Sequence, residues 1–293
     1  MAVQISVSFI TCVYNQDPVF FQECAESVRR QAGGRIEWIV VDDGSSPESA
    51  RQHRRVVEEA QGDVPARYIG LPHNVGLSVA RNLGFRAASG EWILVLDSDD
   101  RVSDDVTRIL MEMPRSVSLT AFEARYFSGA HSEHRRLAIF EGLFRRYAGT
   151  SLDPFLWFDF YYHGIIARRD LLLKIGGYRA ELQVGEDQDV LLRALEVISP
   201  DEVAFFSQIG YEYRENPGGV CKRRWKEVLR NYLATMLQGA KRRGGAFTGC
   251  RFGGVRSMGG GTIDCYEYRD RKNIWWGWEE WRRLTDASSE ASN

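Results

Sequence analysis

In Trp92-Ile93-Leu94-Val95-Leu96-Asp97-Ser98-Asp99-Asp100 an apolar run passes straight into a cluster of acids. An unbroken apolar run bounded by Gly90-Glu91 reads as a strand buried on both faces, as in a parallel sheet. It ends in three carboxylates within four positions. Carboxylates packed together repel unless a cation screens them. Hard divalent cations such as Mg²⁺ take oxygen ligands, often one or two carboxylates plus substrate phosphates. Ligands of open α/β sheets bind beyond the carboxyl ends of the strands. Asp97 and Asp99 are therefore candidates for a metal–phosphate site. The same acids would also suit a solvated turn before a helix, with Asp104 and Asp105 in its first turn.

Working outward, the chain alternates. Val3 to Cys12 predicts a strand and Phe20 to Arg30 a helix. Ile36 to Val41 predicts a second buried strand, ending in Asp42-Asp43-Gly44-Ser45-Ser46-Pro47. Ser46 as cap with Pro47 at the first helical position starts another helix, running to about Gln61. Ala66 to Leu71 is a third strand, and Leu77 to Ala88 a helix after the Pro72–Gly76 turn. This β-α-β-α-β-α-β order predicts a doubly wound, mostly parallel sheet. Beyond it, Val102 to Met113 reads as a helix, Val117 to Tyr126 as a strand and 128–150 as a mobile polar loop. A strand at His163–Ala167, short helices from Arg169 and Val190, and two short strands at Val203–Phe206 and Tyr211–Arg214 follow. The expected division is 1–216 as the catalytic domain and 217–293 as a mainly helical extension, built on an amphipathic helix at Arg224–Gln238. The last residues read as disordered.

Composition narrows the function. The 293 residues are 44% hydrophobic, enough for a large core, with a formal charge of −2. That balance argues against bulk binding to nucleic acid or an acidic membrane. Positive charge comes almost wholly from arginine, a bias of GC-rich bacterial genomes. Five cysteines without CxxC spacing point to a reduced setting. No leader pattern and no apolar run of membrane-spanning length is present. The expectation is a cytoplasmic protein, or one peripheral to a membrane. No GxGxxG follows the first strand and no GxxxxGK[ST] occurs, so dinucleotide and P-loop chemistry are unsupported.

Six segments in order and spacing resemble the GT-A glycosyltransferases of family 2. They are Tyr14-Asn15, Val41-Asp42-Asp43-Gly44-Ser45, Asn74 to Gly84, Leu96 to Asp100, Gly176-Gly177-Tyr178 and Gly185-Glu186-Asp187. The resemblance covers roughly residues 3 to 215. It implies a GT-A fold and an inverting, metal-dependent enzyme that moves a sugar from a nucleoside diphosphate, most often UDP, to a hydroxyl acceptor. Asp43 would accept the base N–H. Tyr14 would stack on the base, and Thr11 and Cys12 would present backbone groups to it. Gly76 and Arg81 would meet the diphosphate, an arginine fork suiting oxyanions. Asp97-Ser98-Asp99 is the DxD, with Asp99 the direct ligand of Mn²⁺ or Mg²⁺ and Asp97 on the ribose or a metal-bound water. In Glu186-Asp187 the aspartate would be the general base, with Asp189 the alternative if the register shifts. Relatives often add a histidine ligand where this chain has Tyr213-Arg214-Glu215-Asn216.

Acceptor choice falls to 128–163 and the extension, with Trp157 a stacking platform and His163 a hydroxyl-orienting group; core packing or a structural histidine explains the same residues. The C-terminal tryptophans Trp275, Trp276, Trp278 and Trp281 fold over the acceptor cleft, pair two copies as a homodimer, or rest on a membrane interface. Competing functions are polyprenyl-phosphate glycosyl transfer, nucleotide-sugar binding without turnover, and nucleotidyl transfer. The last wants a glycine-rich basic loop after the first strand, which Tyr14-Asn15-Gln16-Asp17 is not.

Overall fold

Alternation along the first strand sorts the core. Val7, Phe9 and Val13 of β1 (Val7–Val13) face one side with Phe21, Cys24 and Val28 of α1 (Pro18–Arg29) and Val57 and Ala60 of α2 (Pro47–Ala60). The opposite face of the sheet meets α3 (Leu77–Ala87), which packs on β1 and β2 (Ile36–Asp42). Trp38 of β2 and Trp92 of β4 (Trp92–Val95) are almost wholly buried. Each such side chain contributes about 1.5–3 kcal/mol through removal of apolar surface from water. Helix starts follow the sequence signals: Asp17 caps α1, accepting from Val19 N, and Ser46 caps α2, accepting from Ser49 N, each with proline in the first turn.

The computed structural model describes residues 6–31, 35–129, 131–135 and 166–216, scattered positions from 223 to 238, and the backbone of 249–258, 261–269 and 275–276. One sheet has the order β3-β2-β1-β4-β8-β6-β9-β5, with β7 added to β6. Strands β1, β2, β3 (Ala66–Gly70) and β4 are mutually parallel. The chain steps outward from β1 to β3, then returns to β4 on the other side of β1. That reversal is the switch point beside which α/β sheets bind ligands. The carboxyl ends meeting there carry Cys12 and Tyr14, Asp43, and Asp97.

The second half is mixed. Strand β8 (Ile166–Arg168) runs antiparallel to both β4 and β6 (Leu119–Ser128), and β6 is parallel to β9 (Val203–Arg214). Several expectations change here. The helix read over Val102–Met113 is only Val106–Met111, α4, because Arg101-Val102 form a short strand, β5, antiparallel to β9. The two short strands after residue 203 are one strand with register shifts. His131–Arg135, read as the start of a mobile loop, is β7, paired with β6. Helices α5 (Arg169–Lys174) and α6 (Glu186–Leu195) complete this part; α6 starts four residues earlier than the apolar pattern from Val190 suggested.

By compactness the chain divides into two units, residues 1–137 with 162–219 and residues 138–161 with 220–293. In the second, strands β10 (Gly249–Met258), β11 (Gly261–Arg269) and β12 (Trp275–Trp276) form an antiparallel sheet. The glycine-dense stretch thus carries strands, within an extension read as mainly helical. Among the described residues no helix is long and apolar enough to cross a membrane.

Candidate active site

The acids after β4 take different parts. Leu96 N donates to Ile10 O at 2.9 Å, and Asp100 N closes the turn onto Asp97 O at 3.1 Å. Asp100 is 1% exposed, its oxygens accepting from the Tyr211 hydroxyl at 2.8 Å and from Arg214 N at 2.7 Å. Asp97 and Asp99 keep exposed surface, the Asp97 side chain 40% of it. Ser98 between them is nearly buried. Burial and the neighbouring Asp97 push the Asp99 carboxyl up to about 6. The turn therefore carries crowded negative charge that a divalent cation would relieve. Asp97 and Asp99 offer hard oxygen donors of the right type. Among the described residues no three His, Cys, Asp or Glu side chains form a ready cage. The donor set fits a cation that completes its shell with substrate phosphate and water.

Arg81, expected on the diphosphate, is held by two carboxylates. The side chain is 6% exposed; Nη2 donates to Asp97 Oδ1 at 2.7 Å and Nη1 to Glu186 Oε1 at 2.5 Å. Its guanidinium lies 5.3 Å from the Tyr178 ring centroid. Asn82, one position on, holds that loop in place: its Nδ2 donates to Tyr178 O at 2.7 Å, and its Oδ1 accepts from Tyr178 N at 2.8 Å. One guanidinium thus joins the end of β4 to the start of α6.

Gly185, at φ 77°, adopts the left-handed conformation that opens α6 directly on Glu186 and Asp187. Acids in a first helical turn are favoured by the helix dipole. Burial, then the charge of Glu186, nonetheless push Asp187 up to about 7; Gln188 N, donating to Asp187 Oδ1 at 2.8 Å, opposes this. A carboxylate titrating near neutrality is matched to general-base work. Asp189, the alternative base, is fully buried and ion-paired to Arg193 at 2.7 Å and Arg179 at 3.5 Å. Those ion pairs hold Asp189 in the interior, whereas Asp187 keeps some exposed surface.

The nucleotide end rests on β1 and β2. Asp43 accepts from Val75 N at 2.7 Å and Gly76 N at 3.0 Å. A carboxylate has about four acceptor positions, so two remain for a ligand N–H. Gly44 permits this approach: at φ 74°, any Cβ would lie 2.3 Å from the His73 carbonyl carbon. Asp42 points elsewhere. Against the opposing effect of burial, hydrogen bonds from His53, Ser45 and Tyr68 hold it at about 2. Tyr14 is 54% exposed at the end of β1. The Thr11 hydroxyl accepts from Trp38 Nε1 at 3.0 Å. Burial pushes the Cys12 thiol up to about 12; Arg81 lowers it while Asp97, Asp43 and Glu186 raise it. The end of β1 is therefore within electrostatic reach of all four. Trp157 and His163 lie outside the described residues.

Sequence reasoning assigned no role to Asn82, Tyr178, Asp100, Tyr211 or Arg214. The first three sit inside quoted motifs, which was signal enough to single them out. Tyr211 and Arg214 meet the acid turn from more than a hundred residues away, and no local pattern marks them.

The family model described as "Glycosyl transferase family 2" matches residues 8–176. Two relatives from Bacillus subtilis (strain 168) are the uncharacterized glycosyltransferase EpsJ, 28% identical over 243 residues, and the putative glycosyltransferase EpsH, 27% over 249. The matches cover 79% and 78% of this chain but only 67% and 66% of those relatives' length. Among solved structures, S. aureus TarS in complex with UDP-GlcNAc superposes with a TM-score of 0.59 at 20% identity, covering 80% of this chain and 67% of that one. The mannosyltransferase PcManGT from Pyrobaculum calidifontis, in complex with GDP-Man and Mn²⁺, gives 0.58 at 17%, covering 82% and 65%. These likenesses establish the GT-A fold. With the family's pattern matched over more than half its length, the chain belongs to glycosyl transferase family 2.

Proposed function

We propose that the chain transfers a sugar, with inversion, from a nucleoside diphosphate, UDP in the first instance, to a hydroxyl acceptor. The observation that carries this reading is the Arg81 bridge, which ties the acid turn at Asp97 to the Glu186-Asp187 pair. Donor end and base end thereby belong to one site. Asp43, Tyr14 and the backbone of Thr11 and Cys12 receive the nucleoside, with Gly76 at the start of α3. Asp99, with Asp97, would hold the divalent cation, Mn²⁺ or Mg²⁺, whose charge stabilises the departing diphosphate. Asp187 removes the acceptor hydroxyl proton as that oxygen attacks the anomeric carbon and the bond to the diphosphate breaks. Arg81 fixes Glu186 through the 2.5 Å contact, which holds the first turn of α6 in place.

A thermal-shift screen of UDP-GlcNAc, UDP-glucose and GDP-mannose, each with and without Mn²⁺, tests the donor. A ligand that binds only the folded state raises its melting temperature. At least one donor is expected to act more strongly with Mn²⁺; no shift with any of them contradicts the reading. An NMR spectrum of the product showing retained anomeric configuration would overturn inversion.

A further inference from the structure

Asp100 looks like a third ligand in the acid turn, yet its contacts give it a different task. Both of its oxygens are occupied from β9, by the Tyr211 hydroxyl and by Arg214 N. The same Tyr211 oxygen accepts from Asp97 N at 3.1 Å. Arg214 Nε donates to Asp99 O at 2.8 Å. The Arg214 guanidinium is itself fixed by Glu23 of α1 at 2.5 Å and lies over Phe20 and Phe127, 4.2 and 4.5 Å from their centroids. Every residue of Asp97–Asp100 except Ser98 is thus anchored to the end of β9 through backbone or side chain.

We propose that Asp100, Tyr211 and Arg214 form a clamp that positions the acid turn, so that Asp97 and Asp99 face the donor diphosphate. These are positioning residues, touching neither donor nor acceptor. The inference rests on the donor site described above. It assigns work to the segment Tyr211–Arg214. Groups that orient ligating carboxylates typically affect metal affinity by about 10–100-fold.

The test is calorimetry of UDP binding, with Mn²⁺ and with EDTA, on wild-type protein, Tyr211→Phe and Asp100→Asn. Ser118→Ala serves as control, since it deletes a hydroxyl–carboxylate bond, to Glu202 at 2.6 Å, outside the turn. Tyr211→Phe keeps the buried ring and removes only the hydroxyl. The expected result is a loss of about tenfold or more in the Mn²⁺-dependent affinity, with UDP binding in EDTA unchanged. Asp100→Asn should lose as much, and Ser118→Ala nothing. Equal Mn²⁺-dependent affinity in wild-type and Tyr211→Phe protein overturns the clamp and leaves the donor site standing. Equal losses with and without Mn²⁺, or a matching loss in Ser118→Ala, show general structural damage and overturn it too. Wild-type protein with no Mn²⁺-dependent gain overturns the donor site and the clamp together.

Discussion

Asp187 is where burial and chemistry conflict. Its carboxyl is pushed up to about 7 by burial and by Glu186, so the folded state favours the neutral form. Ionising it costs stability, a cost that grows as pH rises from about 4, the unfolded value, through 7 and is constant above. Asp187→Asn should therefore be more stable than wild type at pH 8, by on the order of 1 kcal/mol after solvent screening, and so melt higher, with a smaller gain at pH 5. The same variant should bind donor nearly normally and turn over ~10²–10⁴-fold more slowly. Wild-type kcat should rise with pH through about 7. Melting curves at two pH values and a pH–rate profile check these; wild-type turnover in the variant would remove Asp187 from the mechanism. Arg81 presents the opposite case, a buried charge satisfied by two acids. Arg81→Met should cost about 3–5 kcal/mol, because it strands the buried Glu186, and chemical denaturation measures it.

At the scale of elements, turns rather than helices decide the site. The turn after β2 approaches the 73–76 loop so closely that Gly44→Ala should destabilise by about 2 kcal/mol or more, combining a left-handed backbone with a backbone clash. An alanine variant as stable as wild type, by denaturant titration, would show that the approach is looser than described. Caps and strand ends here were legible in sequence: Ser46-Pro47, the apolar run before Asp97, and Asp42-Asp43 all predicted their places. The two acids that hold Arg81 were not. Its phosphate-binding chemistry suited the motif, but which anion it meets depends on α3 lying against the start of α6, more than a hundred residues away. Asp42 and Asp43 are equally acidic neighbours in sequence. Only the alternation of β2 sends one to His53 and Tyr68 and the other to Val75 and Gly76.

Across the whole molecule, the first half was readable because β1, β2 and β3 pair in sequence order, β4 returns beside β1, and helices alternate with these strands. The second half was not. Strand β6 pairs in parallel with β9, Leu119 opposite Val203, and β5 joins the sheet through β9. Pairings of that range leave no periodic trace, and the register shifts in β9 made one strand read as two. Yet this half brings Tyr211 and Arg214 to the acid turn and α6 to Arg81, so the site needs both halves of the sheet. Asp43, Asp99 and Asp187 are expected to line one donor site. A crystal structure of the protein with UDP and Mn²⁺, the ion located by its anomalous scattering, decides whether they do. The uracil edge should lie on Asp43, Mn²⁺ between Asp99 and the diphosphate, and Asp187 facing the open end of the diphosphate. UDP and Mn²⁺ bound in a hollow that excludes any of these three carboxylates would contradict that arrangement.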